Sequence, residues 1–335
     1  TEIKFSTTGV EGTKYWTGSG WSGTEQWQPA TRLGQTSWYY LLDQSMLKDD
    51  VVYTAVARTA DYADNISSVY STYTFTYDIT GPNVTVDDPD TGRTYSNVFL
   101  STPVAGTSSN NQSSAYTEPV SVKVAVSELT TGDVYNTCFN GGSFVGCSAP
   151  IWLNYTAGNL ANWQFDDSDL SFISDRRYKY EAKATDLSGT DSAAAYVVTN
   201  FDLAKPTSTV VSPSAAYVNS ITLISGEAND ERNGQRQYEA GLGTYTVKMA
   251  VRVVGGNWWN GTSFASGSPV WYETHVDTTQ YTLGKATVTW SSATASNFQA
   301  AIATLKRQDY RVVTYAYDLA LNKEYGPNFS EPDNA

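Results

Sequence analysis

Histidine is nearly absent from this chain: a single one, His275, stands among 335 residues. It sits in WYETHVD, an alternating stretch, and without a second histidine a Ser-His-Asp or His-metal constellation has nothing to build on. No Gly-x-Ser-x-Gly elbow, no phosphate-cradling glycine loop and no His-Glu-x-x-His occurs either, so the sequence reads as non-enzymatic. Charged residues are few, 16% of the total, and those present are unbalanced: the net charge is -13. That excludes nucleic acid and anionic membrane surfaces as natural partners. Long apolar runs are missing too; none approaches the roughly 20 residues of a membrane-spanning helix. Methionine occurs twice and cysteine twice. Two cysteines without histidine partners do not make a zinc site.

What is abundant points to strands. Tyrosine (24), tryptophan (10), Thr and Ser dominate, with 40% hydrophobic content, a composition for an all-β chain with real cores. Cys138 and Cys147 flank FNGGSFVG between two strand-like runs and are expected to staple a hairpin by a disulfide. The acidic, Tyr/Thr-rich character favours the oxidising compartment such a bond needs.

The stretch YKYEAKATDLSG at 178–189 is nearly repeated by YTAVARTADYADN from Tyr53 and YRVVTYAYDLALN from Tyr310. Each tyrosine is followed eight positions later by an aspartate: Asp61, Asp186 and Asp318. Other landmarks keep step. Trp38 and Trp163 each precede their tyrosine by fifteen, and Trp27 and Trp152 precede those tryptophans by eleven. Trp271 and Trp290 do the same in the third copy at gaps of nineteen and twenty. Upstream lie three alternating strands with a lysine second: Lys4, Lys123 and Lys248. Downstream, FTYDITGP and FDLAKP carry a strand into a proline. The period divides the chain at 1–81, 82–205 and 206–335, and the first copy lacks the leading portion that 82–121 and 206–246 supply to the others. The chain thus reads as a mature product or a piece of something longer, opening inside a repeat.

Along the second copy, Tyr178, Tyr180, Ala182 and Ala184 fall on one face, and Lys179, Glu181, Lys183 and Thr185 on the other. One dry face and one wet face describe an antiparallel sheet packed on a second sheet. Asp186 has the parity of the dry face, so the strand is expected to turn there, with the aspartate bonding nearby amides. Tyr53, Tyr178 and Tyr310 resemble the tyrosine corner of immunoglobulin-like sandwiches. A short helix is expected where Ser296, Phe298, Ile302 and Leu305 take helical spacing.

The order of landmarks resembles tandem bacterial Ig-like domains of large secreted and cell-surface proteins. The resemblance implies three tandem Ig-like β-sandwiches, the first incomplete at its N-terminus. It further implies an extracellular, bacterial-surface setting and a structural role as stalk or filament segment, with neighbouring copies or flanking repeats as partners. If the tail of a neighbouring chain supplied the missing strands, the chain would polymerise head to tail. The alternative is a glycan- or host-binding adhesin module. Trp16 and Trp21, or Trp258 and Trp259, would then stack on sugar rings, unless they pack inward. Carboxylates gather in DDPDTG (87–92), DDSD (166–169) and NDERNG (229–234). Asp87, Asp88 and Asp90 are the candidate calcium ligands at a domain junction, and solvated turns are the plain alternative for all three clusters.

Overall fold

Alternating apolar residues place every long strand in an antiparallel sheet, and a computed structural model shows how these sheets pair. It describes residues 1–9, 12–34, 36–96, 103–110, 118–130, 132–166, 169–215, 217–230, 240–280, 287–293, 296–305 and 307–324. Asp167 and Ser168 of the second acidic cluster, 231–234 of the third, and the tail 326–333 lie outside the described residues. The architecture is all-β, with one short α-helix at Ser296–Thr304, over the span where helical spacing was expected.

Among the described residues no sheet crosses from one repeat to the next. The strands of one six-stranded sheet, and of a small hairpin, all come from residues 2–77. A seven-stranded and a four-stranded sheet use residues 83–201, and a four-stranded and a five-stranded sheet use 206–316. The second and third repeats are each two sheets face to face. In the second, Val104, Trp163 and Phe165 of one sheet meet Val122, Val124, Val126, Tyr178, Tyr180 and Ala182 of the other. In the third, Ile224, Val288 and Trp290 meet Val247, Met249, Val251 and Ala316. The first repeat has one full sheet and a much smaller core of Ile3, Phe5 and Trp16.

The tyrosine corner is present in all three repeats, with its partner five residues upstream each time. The phenol oxygen of Tyr53 accepts from Lys48 N, that of Tyr178 from Ile173 N, and that of Tyr310 donates to Leu305 O, at 2.8, 2.8 and 3.3 Å. Tyr53 and Tyr178 are fully buried and Tyr310 is half-buried. Burial pushes the Tyr178 phenol up to about 12, so it stays a neutral partner at any physiological pH.

One expectation about faces needs correction. The outer face of the second sandwich is not simply wet: Ala125, Ser127 and Glu181 are buried. The Cys138–Cys147 disulfide joins the segment after the hairpin to the sheet, and the Trp152 ring lies 5.2 Å from Lys183 Nζ. On this face Glu181 is satisfied by Lys179 at 2.7 Å and by the Tyr135 hydroxyl at 2.8 Å. The repeated lysines do face outward: Lys4 pairs with Glu25 and Lys248 with Glu273.

Candidate metal centre at the junction of two sandwiches

The aspartate eight residues past each tyrosine holds the turn that follows its strand, and in the second and third repeats its side chain is buried rather than released to solvent. Asp318 accepts from Asn322 N on Oδ1 and from Asn322 Nδ2 on Oδ2, both at 2.8 Å. Asp186 accepts on Oδ1 from Thr190 N at 2.9 Å and from the Ser188 hydroxyl at 2.7 Å. Asp61 binds Ala63 N and Asn65 N in the same way but stands in solvent.

Asp318 is buried by the preceding sandwich. Asp202 follows the last strand of that sandwich, Ala195–Phe201, and Asp230 ends the strand Leu223–Asp230, opposite Pro206. The carboxylates of Asp202, Asp230 and Asp318 have ligand atoms all within 4.8 Å of one another. All three residues are 0% exposed. Direct bonds hold the two sandwiches together around them. The Ser96 hydroxyl donates to Ala320 O at 2.8 Å, and Asn322 Nδ2 donates to Asp202 O at 3.0 Å. Ala240 N donates to Asp202 Oδ2 at 2.9 Å, and Ala204 N to its Oδ1 at 2.8 Å.

Three carboxylates this close and this dry oppose one another's ionisation. Burial, reinforced by the charge of Asp202, pushes Asp318 up to about 7. Two chemistries relieve such a site: a shared proton, or a cation. The donors are oxygens only, with neither imidazole nor thiolate, which suits a hard ion such as calcium over zinc.

The junction between the first and second sandwiches carries two of the corresponding carboxylates. Asp78 stands four residues before Pro82, as Asp202 stands four before Pro206. Asp186 is the counterpart of Asp318; its Oδ2 and Asp78 Oδ2 are buried with no hydrogen-bond partner. Burial and the neighbouring charges of Asp186 and Asp49 push the Asp78 carboxyl up. In Asp230's place stands Asn110, four residues past Gly106 as Asp230 is four past Gly226. The link itself runs close to the turn beneath it: a Cβ on Gly81 would lie 2.7 Å from Ser192 N and closer to the Asp191 carbonyl.

The residues singled out from sequence fare differently. Asp87, Asp88 and Asp90 do not form the trio. Asp87 and Asp90 are exposed, Asp90 pairs with Arg93 at 3.4 Å, and the Asp88 backbone bridges Ala105. Asp230 was read as part of a solvated turn and is instead dry, because the preceding sandwich covers it. Asp202 was not singled out; the Asp-x-x-x-Pro spacing shared with Asp78 was the available signal. Trp16, Trp258 and Trp259 are buried, and Trp21 packs on Trp16 and Tyr53 while donating from Nε1 to Met46 O. Trp21 alone of the four is part-exposed. Cys138 and Cys147 are bonded to each other.

No protein-family model matches the chain, and no curated protein does. Among solved structures it is similar to a tetra-tandem repeat in the extending region of a large adhesion protein, at 17% identity over 96% of this chain and 64% of that one, TM-score 0.29. It is also similar to the Ca2+-stabilized adhesin that helps an Antarctic bacterium bind ice, at 13% identity over 96% and 62% of the two chains, TM-score 0.29. The FN1–FN3 domains of chicken CNTN1 match at 10% identity over 96% of this chain and 85% of that one, again at 0.29. The chain spans less than two thirds of either adhesin chain.

Proposed function

We propose that this chain is a non-enzymatic structural segment of a bacterial extracellular surface protein. Its units, 1–81, 82–205 and 206–335, stand end to end as spacers, and flanking units of the same kind are the partners. The observation that carries this reading is the dry carboxylate trio, Asp202, Asp230 and Asp318, contributed from both sides of one junction. A hard divalent cation, calcium, at this site offsets the mutual repulsion and holds the second and third sandwiches in line. Asp78 and Asp186 bind it more weakly at the other junction, where Asn110 replaces a charged ligand. Glycan binding is the alternative; Trp16, Trp258 and Trp259 are buried, which leaves Trp21 as the part-exposed hairpin tryptophan.

The test is a calcium titration of the whole chain followed by thermal unfolding and small-angle scattering. At a hundredfold excess over Kd the ion adds about 2.7 kcal/mol to the sandwich that binds it, on the order of 10 °C in Tm. Asp230→Asn is expected to remove most of that gain. Unchanged melting and scattering at millimolar calcium would overturn the cation reading.

A further inference from the structure

Trp27, Trp152 and Trp271 recur at one place in each repeat and take no part in the buried cores. Each directly precedes a two-residue strand, Gln28–Pro29, Leu153–Asn154 or Tyr272–Glu273, that pairs with the lysine-bearing strand of its own unit. That register carries the indole onto the outer face of the sheet, the face of Lys4, Lys123 and Lys248. All three rings are half-buried there.

What the rings rest on differs from unit to unit. The Lys4 and Arg58 cations lie 4.9 and 4.1 Å from the Trp27 ring, and Lys183 lies 5.2 Å from that of Trp152. Trp271 meets the Tyr315 ring edge-on at 4.7 Å. What recurs is a carboxylate held by a cation on the same face. Arg58 binds Glu2 at 2.7 Å and Lys183 binds Asp191 at 2.8 Å. Lys248, register partner of Tyr315, binds Glu273 at 2.7 Å. The cation side chains are 21%, 24% and 16% exposed, and the acids 45%, 47% and 65%. The cation therefore sits low against the sheet, and the acid reaches solvent beside the ring.

We infer that this outer face is a carbohydrate-binding platform, one in each unit, for a neutral polysaccharide. A pyranose presents a face of C–H groups ringed by hydroxyls. An indole supplies the matching apolar plane, and a neighbouring carboxylate accepts from the hydroxyls. At the second unit Asp191 is fixed for that task by Lys183 and by the Thr185 hydroxyl at 2.6 Å, bonds that hold its carboxyl below the usual range and keep it ionised. Stability does not account for the recurrence, because exposed ion pairs add little to it and the support under the ring is not kept. The net charge of -13 turns away sulfated and uronic polymers, which leaves a neutral chain. Three platforms on one polypeptide let a long polymer bind by avidity where each contact is weak. None of these side chains belongs to the carboxylate trio, so the spacer reading stands or falls separately, by its calcium titration.

The experiment is affinity electrophoresis of the whole chain through gels holding hydroxyethyl cellulose, xyloglucan, galactomannan or dextran, with alginate as the anionic control. At least one neutral polymer is expected to retard the chain. Two variants divide the site: Trp27→Leu with Trp152→Leu and Trp271→Leu keeps an apolar cover without the aromatic plane, and Glu2→Gln with Asp191→Asn and Glu273→Gln keeps every ring. Each is expected to weaken retardation by roughly tenfold or more, with hydrogen exchange over Tyr178–Ala184 confirming that the sandwich is folded. Retardation by none of the neutral polymers, by alginate alone, or unchanged in either variant overturns the inference.

Discussion

At Asp318 a single carboxyl couples stability to pH in an unusual direction. The folded group titrates at about 7 and the unfolded one near 3.8, so the folded state holds a proton that the unfolded state releases. Without divalent cation the stability of the third sandwich is therefore full below about pH 4 and falls as pH rises to 7. The loss is at most on the order of 4 kcal/mol. Melting the metal-free chain across that range, beside Asp318→Asn, checks it: the parent should lose Tm with pH and the variant should lose much less. Calcium should stabilise most at the high end of the same window. Gly226 makes a second residue-scale case. Gly226→Ala drives a methyl into Thr209 and Trp290, and roughly 3 kcal/mol of the third sandwich's stability is expected to go, read by denaturant unfolding. The same change at Gly20, where an added Cβ meets open space, should cost little.

At the scale of elements, the hairpin Tyr135–Phe139 with Phe144–Gly146 owes its outer cover to one covalent bond. Reduction, or Cys147→Ser, removes a closure worth about 2.5–3 kcal/mol in the chain-entropy account. It should also raise exchange at Ala125 and Ser127, which lie under that cover, while the third sandwich melts unchanged. What could be read in advance follows from where each contact comes from. The Tyr–Asp strands, the corner bonds and the 296–304 helix depend on neighbours a few residues away or on side-chain parity, so the linear pattern carries them. The dryness of Glu181 did not show, because its partner Tyr135 comes from a strand 46 positions away. The trio did not show either: Asp202 and Asp318 are 116 positions apart, and each alone looks like a polar turn residue. The glycines opposite Trp163 and Trp290 stand at different separations from their tryptophans and carry no side chain to mark them.

For the whole molecule, Asn110 stands in the first junction's repeat at the spacing Asp230 has in the second's, four residues past the glycine, and that difference can be reversed. If the spacing carries the same position, Asn110→Asp is expected to raise the calcium affinity of the first junction at least tenfold by calorimetry; an unchanged or lower affinity would count against the equivalence. The geometry of the links sets what such an ion can change. Only four residues, 202–205, separate the strand that ends at Phe201 from the one that begins at Pro206. Fully extended they cover about 14 Å. If calcium binds there as proposed, withdrawing it would not lengthen the chain appreciably; it would convert a rigid joint into a hinge. The contour stays fixed while the persistence of direction varies with the salt outside, so a protein built this way would tune how straight it stands rather than how far it reaches.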